Sequence, residues 1–222
     1  MLLPHLPFLT TPRLPVRAGD GPSPGRAAFE FYPTPPEATR ALLSVETFDG
    51  SIWEPACGQG HISKVLEAHG YDVVSTDIVD HGYGRSGIDF LDQCLPKAKH
   101  ILTNPPYGRG LGDAFVAKAL SITRHTGGRV AMLLNIASLC HRDRHERFVR
   151  RRPSVIYALD QCTCWPNGNP AEATRHTLSH RYAWLVWHAE PSTSTRFEWL
   201  TTAPFTDSAI RKRNAQSTRR PS

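Results

Sequence analysis

One stretch restricts this chain more than any other. After an apolar run at residues 100–102 it reads Thr103-Asn104-Pro105-Pro106-Tyr107-Gly108. Two successive prolines lock two φ angles, remove two N–H donors and keep the preceding residue out of helical geometry. Neither a ladder nor a helix runs through them, so a strand ends here in a stiff, extended corner. That corner brings together a side-chain amide, free backbone carbonyls and an aromatic ring. Such a set suits a planar amine: two carbonyl oxygens accept its hydrogens and the ring lies against its flat face.

Around this corner the apolar pattern alternates between strand and helix. Short strands are expected at residues 51–55, 71–76 and 99–103, with a short strand or turn at 88–91. Residues 130–135 (VAMLLN) are an uninterrupted apolar run, the pattern of a strand covered on both faces. Further strands are expected at 154–159 and 182–187 (YAWLVW). Helical spacing falls at 37–45 behind Pro35 and Pro36, at 61–69 before Gly70, at 111–125 before Gly127-Gly128, and at 138–151. Residues 160–178 read as an irregular excursion and 196–201 as extended. The alternation predicts an α/β fold, a mostly parallel seven-stranded sheet with helices on both faces. The last two strands have little room for a crossover helix between them, which leaves an antiparallel pair and a mixed sheet edge open.

The 222 residues suffice for one substantial domain, and no apolar run approaches the length that spans a bilayer. The Pro-broken N-terminus lacks the charged start of a signal peptide. Cys57, Cys94, Cys140, Cys162 and Cys164 are odd in number and irregularly spaced, which fits a reducing, cytoplasmic setting. Cys162-x-Cys164 lacks metal-type spacing and reads as structural.

The net charge is +6. Arg13, Arg17 and Arg26 face Asp20 in residues 1–28, and five basic residues face Asp207 in 206–222. Removing these leaves 18 basic and 18 acidic residues in the body. The expected organisation is therefore a flexible arm (1–28), one domain (29–205) and a basic disordered tail (206–222). Within the body, Arg142, Arg144, Arg147, Arg150, Arg151 and Arg152 cluster on one expected helix. Basic ends and a basic helix suit a polyanion, and equally suit a solvated face.

In an open α/β sheet, ligands bind beyond the carboxyl ends of the strands. Gly58 and Gly60 follow the first strand, where glycine permits a sharp turn and close approach of the backbone; a lone G-x-G is also an ordinary tight turn. Asp77 ends the second strand, where a carboxylate can accept both hydroxyls of a ribose or simply cap a loop. Asp89, next to Phe90, stands where it can meet the amino edge of an adenine.

Taken together, FEFYPTPP, EPACGQGH, Asp77-Ile78, Asp89-Phe90-Leu91, LTNPPY and the terminal WLVW strand resemble one family. They are similar to S-adenosylmethionine-dependent amino-methyltransferases, most of all the small phage- and prophage-type enzymes that methylate adenine in DNA. The resemblance spans residues 30–200 and implies a Rossmann-like class I methyltransferase fold. It implies that Phe31, Pro33 and Thr34 close over the methionine end of the cofactor. It assigns Glu54, Pro55, Ala56, Cys57, Gly58 and Gly60 to the cofactor loop, with Glu54 near the amino group. Asp77 holds the ribose, Ile78 lies against the adenine ring, and Asp89 and Phe90 meet its edge. Asn104, Pro105, Pro106 and Tyr107 form the catalytic loop.

On this reading Asn104 Oδ1 and the Pro105 carbonyl accept the hydrogens of the acceptor amine, and Tyr107 stacks on the base. An in-line displacement then needs positioning and dipoles more than a strong base. A base within a duplex must first be flipped out. Two departures qualify the match. Only residues 160–181 and the ends are available for reading a target sequence. The NPPY corner also serves release-factor glutamine and ribosomal guanine methyltransferases, so RNA and protein acceptors stay open, as does a non-catalytic accessory role. Arg109, Trp165, Arg142 and Arg144 are the expected nucleic-acid contacts. His141 with His145, and His176 with His180, have the i, i+4 spacing of metal ligands but no third partner, so no metal is expected.

Overall fold

Strand β4 (Val130–Asn135) is the apolar run at 130–135, and it lies inside the sheet. In the computed structural model, which describes residues 28–140 and 144–217, its first five residues are buried. On one side it pairs in parallel with β3 (His100–Thr103), on the other antiparallel with β6 (Tyr182–Trp187), which is buried throughout. Both strands read as continuous hydrophobic runs because both of their faces are covered.

The remaining strands are β1 (Ile52–Glu54), β2 (Val73–Ser75), β5 (Val155–Leu159) and β7 (Arg196–Leu200). The sheet order is β2-β1-β3-β4-β6-β5-β7. Only β6 runs against the others, pairing antiparallel with both β4 and β5. Alternate residues of β4 face opposite layers. Leu133 joins Ala41 and Leu42 of α1 (Pro36–Leu43) and Leu66 of α2 (Ser63–Ala68). Met132 and Leu134 join Phe115, Ala119 and Ile122 of α3 (Leu111–Thr123). Phe148 of α4 (His145–Arg150) packs on that second layer.

Four expectations need correction. The count of seven strands is right, but the set differs. Of the two alternatives at residues 88–91, strand or turn, the turn forms: Asp89 Oδ1 accepts the Leu91 N–H at 2.8 Å and starts a 3-10 turn, Phe90–Asp92, whose Phe90 is drawn into the core. The seventh strand is β7, which docks in parallel on the outer edge of β5. The basic helix does not run unbroken from 138: a 3-10 stretch covers Ile136–Cys140, residues 141–143 lie outside the described residues, and α4 has six residues. The excursion at 160–178 holds two 3-10 turns, and α5 (Arg175–Ser179) follows from its end.

Of the tail at 206–222, expected to be disordered, residues 207–217 form α6 (Asp207–Ser217), and residues 218–222 lie outside the described residues. Arg40 of α1 pins its start, donating to the Phe205 carbonyl at 3.0 Å and to Asp207 at 2.6 Å. The arm at 1–27 lies outside the described residues. Among the described residues no helix is long and apolar enough to cross a membrane.

Trp184, fully buried on β6, also donates its indole N–H to the Ala38 carbonyl at 2.9 Å, tying α1 to the sheet. Trp184→Ala removes both a large side chain and that bond, and is expected to cost about 3–5 kcal/mol in denaturant unfolding.

Candidate active site

Strands β1 and β3 are direct neighbours, in register at Ile52–His100 and Trp53–Ile101. Their carboxyl ends therefore open side by side, about 4.8 Å apart. The glycine loop leaves one and the Asn104 corner leaves the other. This adjacency is a product of strand order and is invisible in the separate motifs.

The loop after β1 is held from β2. The Trp53 indole donates to Thr76 Oγ1 at 2.8 Å, and Cys57 N–H donates to the Thr76 carbonyl at 3.0 Å. Asp77 is buried: its Oδ2 accepts the Gly58 N–H at 2.8 Å and its Oδ1 accepts the Val79 N–H at 2.9 Å. It thus clamps the glycine loop, while each oxygen keeps lone-pair capacity for a further donor. Ile78 beside it is 53% exposed, an apolar side chain left open at the mouth of the loop.

Glu54 lies deeper. Its Oε2 accepts the Ser63 N–H at 2.8 Å and the Ser63 hydroxyl as well. Burial pushes its carboxyl well above the usual range, against the pull of those two donors. Ser63, absent from the sequence reading, is what holds this carboxylate. Pro55 is buried and Ala56 half-buried along the same turn. Burial also pushes the Cys57 thiol up to about 12.

Gly58 (φ +52) must be glycine on two counts: its backbone is left-handed, and a Cβ there would lie 2.6 Å from the Phe31 ring. Gly60 (φ +78) is covered in the same way by Tyr83. The lead-in segment thus lies directly on the glycine loop. Phe31 stacks on His81, with centroids 4.5 Å apart and planes 21° apart. One residue later the Tyr32 carbonyl accepts from Asn104 Nδ2 at 3.0 Å, and buried Thr34 Oγ1 accepts from the same nitrogen at 3.1 Å. Consecutive residues are only about 3.8 Å apart along the chain. The glycine hollow and the Asn104 side chain are therefore neighbours under one strap.

Two acceptors for Nδ2 fix which way the Asn104 amide faces. Its Oδ1 accepts from the Tyr107 hydroxyl, which also contacts the Leu133 carbonyl at 2.7 Å. The Tyr107 ring, expected to lie flat against an acceptor base, is instead turned inward, with its centroid 6.3 Å from that of Tyr182. Burial raises its hydroxyl well above its ordinary value, so it stays protonated and a donor. Pro105 is buried and Pro106 half-buried. Glu30 Oε2 accepts the Gly108 N–H at 3.1 Å, closing the far end of the corner.

Other expected residues fall differently. Phe90 packs edge-on against Trp53, centroids 5.1 Å apart, and against Phe115 at 4.8 Å, which makes it part of the core. Trp165 is half-buried in a loop that does reach the strap: the Asn167 N–H donates to the Phe31 carbonyl at 3.0 Å, and Gly168 packs near Pro33. Cys164, on the same excursion, is fully buried with its sulfur 4.0 Å from Asn104 Nδ2. Arg144 Nε donates to both oxygens of Asp113, at 2.8 and 3.0 Å. Arg142, His141 and the side chains of Arg109 and His176 lie outside the described residues. His81 and Tyr83 were missed; an aromatic between Gly82 and Gly84 was the available signal.

The fold matches known structures. A protein from Listeria monocytogenes described as a class I S-adenosylmethionine-dependent methyltransferase superimposes with a TM-score of 0.56 at 15% identity, over 89% of this chain and 72% of that one. The chain has the class I methyltransferase fold. A protein from Vibrio vulnificus described as a modification subunit of a type I restriction enzyme gives 0.51 at 17% identity, over 92% of this chain and 55% of its own length. No family model matches the chain, and no curated protein matches it either.

Tyr107→Phe deletes a buried hydroxyl and strips a partner from both Asn104 Oδ1 and Leu133. It is expected to lower unfolding free energy by about 1–3 kcal/mol, read by denaturant titration. At pH 8 iodoacetamide is expected to label exposed Cys94 and Cys140 and to spare Cys57, read by peptide mass spectrometry.

Proposed function

We propose that this protein transfers the methyl group of S-adenosylmethionine to an exocyclic amine, with N6 of adenine in DNA as the acceptor. The observation that carries the reading is the pairing of β1 with β3, which sets a glycine loop clamped by Asp77 beside the Asn104 corner. The residues of the loop suit the cofactor. Asp77 offers carboxylate lone pairs beside glycine backbone, Ile78 offers open apolar surface, and the Phe31 side chain of the lead-in segment lies over Gly58.

When bound, the cofactor supplies a sulfonium methyl that is already activated for displacement. The chain's own residues act on the acceptor. An aromatic amine is a weak nucleophile because its lone pair is delocalised into the ring. Asn104 Oδ1 keeps a second lone pair after accepting from Tyr107, and the Pro105 carbonyl is the other acceptor of the corner. Together they accept hydrogen bonds from the two amine hydrogens and localise the lone pair toward the methyl donor; the new N–C bond forms as the sulfonium S–C bond breaks, and the methylated amine then releases one proton to solvent. Tyr107 acts here as a positioning residue: its hydroxyl holds Asn104 Oδ1 in place, supported from Leu133. The strap at Phe31 to Thr34 must lift from Gly58 to admit the cofactor, and its bonds to Asn104 re-form on closure.

Asn104→Ala is expected to retain S-adenosylhomocysteine binding by calorimetry and to lose labelled-methyl transfer by at least a hundredfold. Near-normal turnover in that variant removes Asn104 from the mechanism. The same assay run with DNA, RNA and a glutamine-bearing release-factor peptide separates the acceptors, and incorporation into peptide alone overturns the DNA reading.

A further inference from the structure

A cavity of about 420 Å3 opens on the α3–α4 layer, and neither the glycine loop nor the strap lines it. Its volume lies within the roughly 300–1,000 Å3 typical of small-ligand pockets. The floor is apolar and partly aromatic, built from Leu120, Leu134, Phe148 and Trp187. Tyr107 forms one end, so the cavity and the acceptor corner share a wall.

The rim is strongly basic. Arg144, Arg147, Arg150 and Arg151 all line it, and among the described residues Asp113 is the one carboxylate that does. Two of the four arginines converge on that carboxylate, Arg144 at 2.8 Å and Arg147 at 3.4 Å. Among the described residues Arg150 reaches only the exposed Glu146, at 3.5 Å. The guanidinium of Arg151 has no partner among the described residues. Positive charge therefore exceeds negative charge around an apolar hollow. Ser138 also lines the cavity, and its hydroxyl is buried without a hydrogen-bond partner among the described residues. Buried polar groups are rarely left unpaired.

We propose that this cavity is a second ligand site and that it takes a nucleotide unit: a flat ring against Phe148 and Trp187, and a phosphate on the arginine rim. Rings stack on aromatic and aliphatic surface, and guanidinium groups pair with phosphate. The choice of a nucleotide among aromatic anions rests on the reading of the protein as a nucleic-acid methyltransferase; the apolar, cationic character of the site does not. A nucleotide unit has two sources, a free mononucleotide and a residue of the acceptor strand flanking the target.

Calorimetric titration of the full chain, saturated with S-adenosylhomocysteine, distinguishes them. Adenosine 5′-monophosphate, adenosine and a five-nucleotide single-stranded DNA are the probes. The monophosphate is expected to bind at least tenfold more tightly than adenosine. Leu120→Trp, which fills the hollow, and Arg151→Glu, which is exposed and folds without difficulty, are each expected to weaken it at least tenfold. Both variants are expected to leave S-adenosylhomocysteine affinity unchanged. Binding of the oligonucleotide alone, with the same dependence on both variants, assigns the site to the acceptor strand. Equal binding of adenosine, indifference to both variants, or silence of both phosphate probes overturns the proposal. Failure of S-adenosylhomocysteine to bind, with nucleotide binding intact, would instead count against the methyltransferase reading and leave the cavity's assignment standing.

Discussion

The side-chain amide of Asn104 is the joint on which the carboxyl edge of this sheet depends. Its nitrogen donates to Tyr32 and Thr34 of the lead-in segment, and its oxygen accepts from Tyr107, which reaches on to Leu133 of β4. Three parts of the chain, distant in sequence, are joined through this planar group and the hydroxyl bound to it. Each partner is buried or half-buried, so the loss of any one leaves another polar atom unsatisfied in a poorly solvated place. The double proline makes this economical. It holds the corner rigid before the amide binds anything, so little conformational entropy is lost in aiming it.

The neighbouring glycine loop is held by a different device. Asp77 and Glu54 point carboxylates at backbone N–H groups, of Gly58 and Ser63 respectively. Glu54 is the more deeply enclosed, and burial raises its proton affinity. A group whose folded pKa is raised contributes stability that is complete at acid pH and is lost as pH climbs from the unfolded value, near 4.5, through the folded one. Ser63 opposes that loss with two hydrogen bonds, one from its backbone and one from its hydroxyl. The two halves of the site thus have separate supports, and the strap at residues 31–34 is the element that spans them.

The elements most legible in the sequence were those with both faces buried. Residues 130–135 and 182–187 became β4 and β6 within the expected bounds because a strand sealed in the interior has no polar positions to blur its pattern. The corner at Asn104 was equally legible, since prolines act on their own backbone whatever surrounds them. Edge elements were not. The residues of β7 are mostly exposed, so the alternation of Arg196, Phe197, Glu198 and Trp199 marks no buried face; the sequence reads them as extended, and the edge of β5 makes them a strand. Residues 88–91 fail to become one because Asp89 turns its carboxylate onto the local backbone while Phe90 finds a place in the core.

By itself the sequence determined the α/β class, the positions of the inner strands and the presence of a glycine turn, a strand-end aspartate and a rigid amide-bearing corner. These follow from local rules of φ, side-chain period and hydrogen-bonding type. Only the tertiary structure decided that β1 and β3 are neighbours, that Phe31 lies on Gly58, that Tyr107 turns inward and that an arginine-rimmed cavity backs onto it. Those depend on which surfaces meet after the sheet is assembled, and non-local contact is not encoded in any single window of the chain.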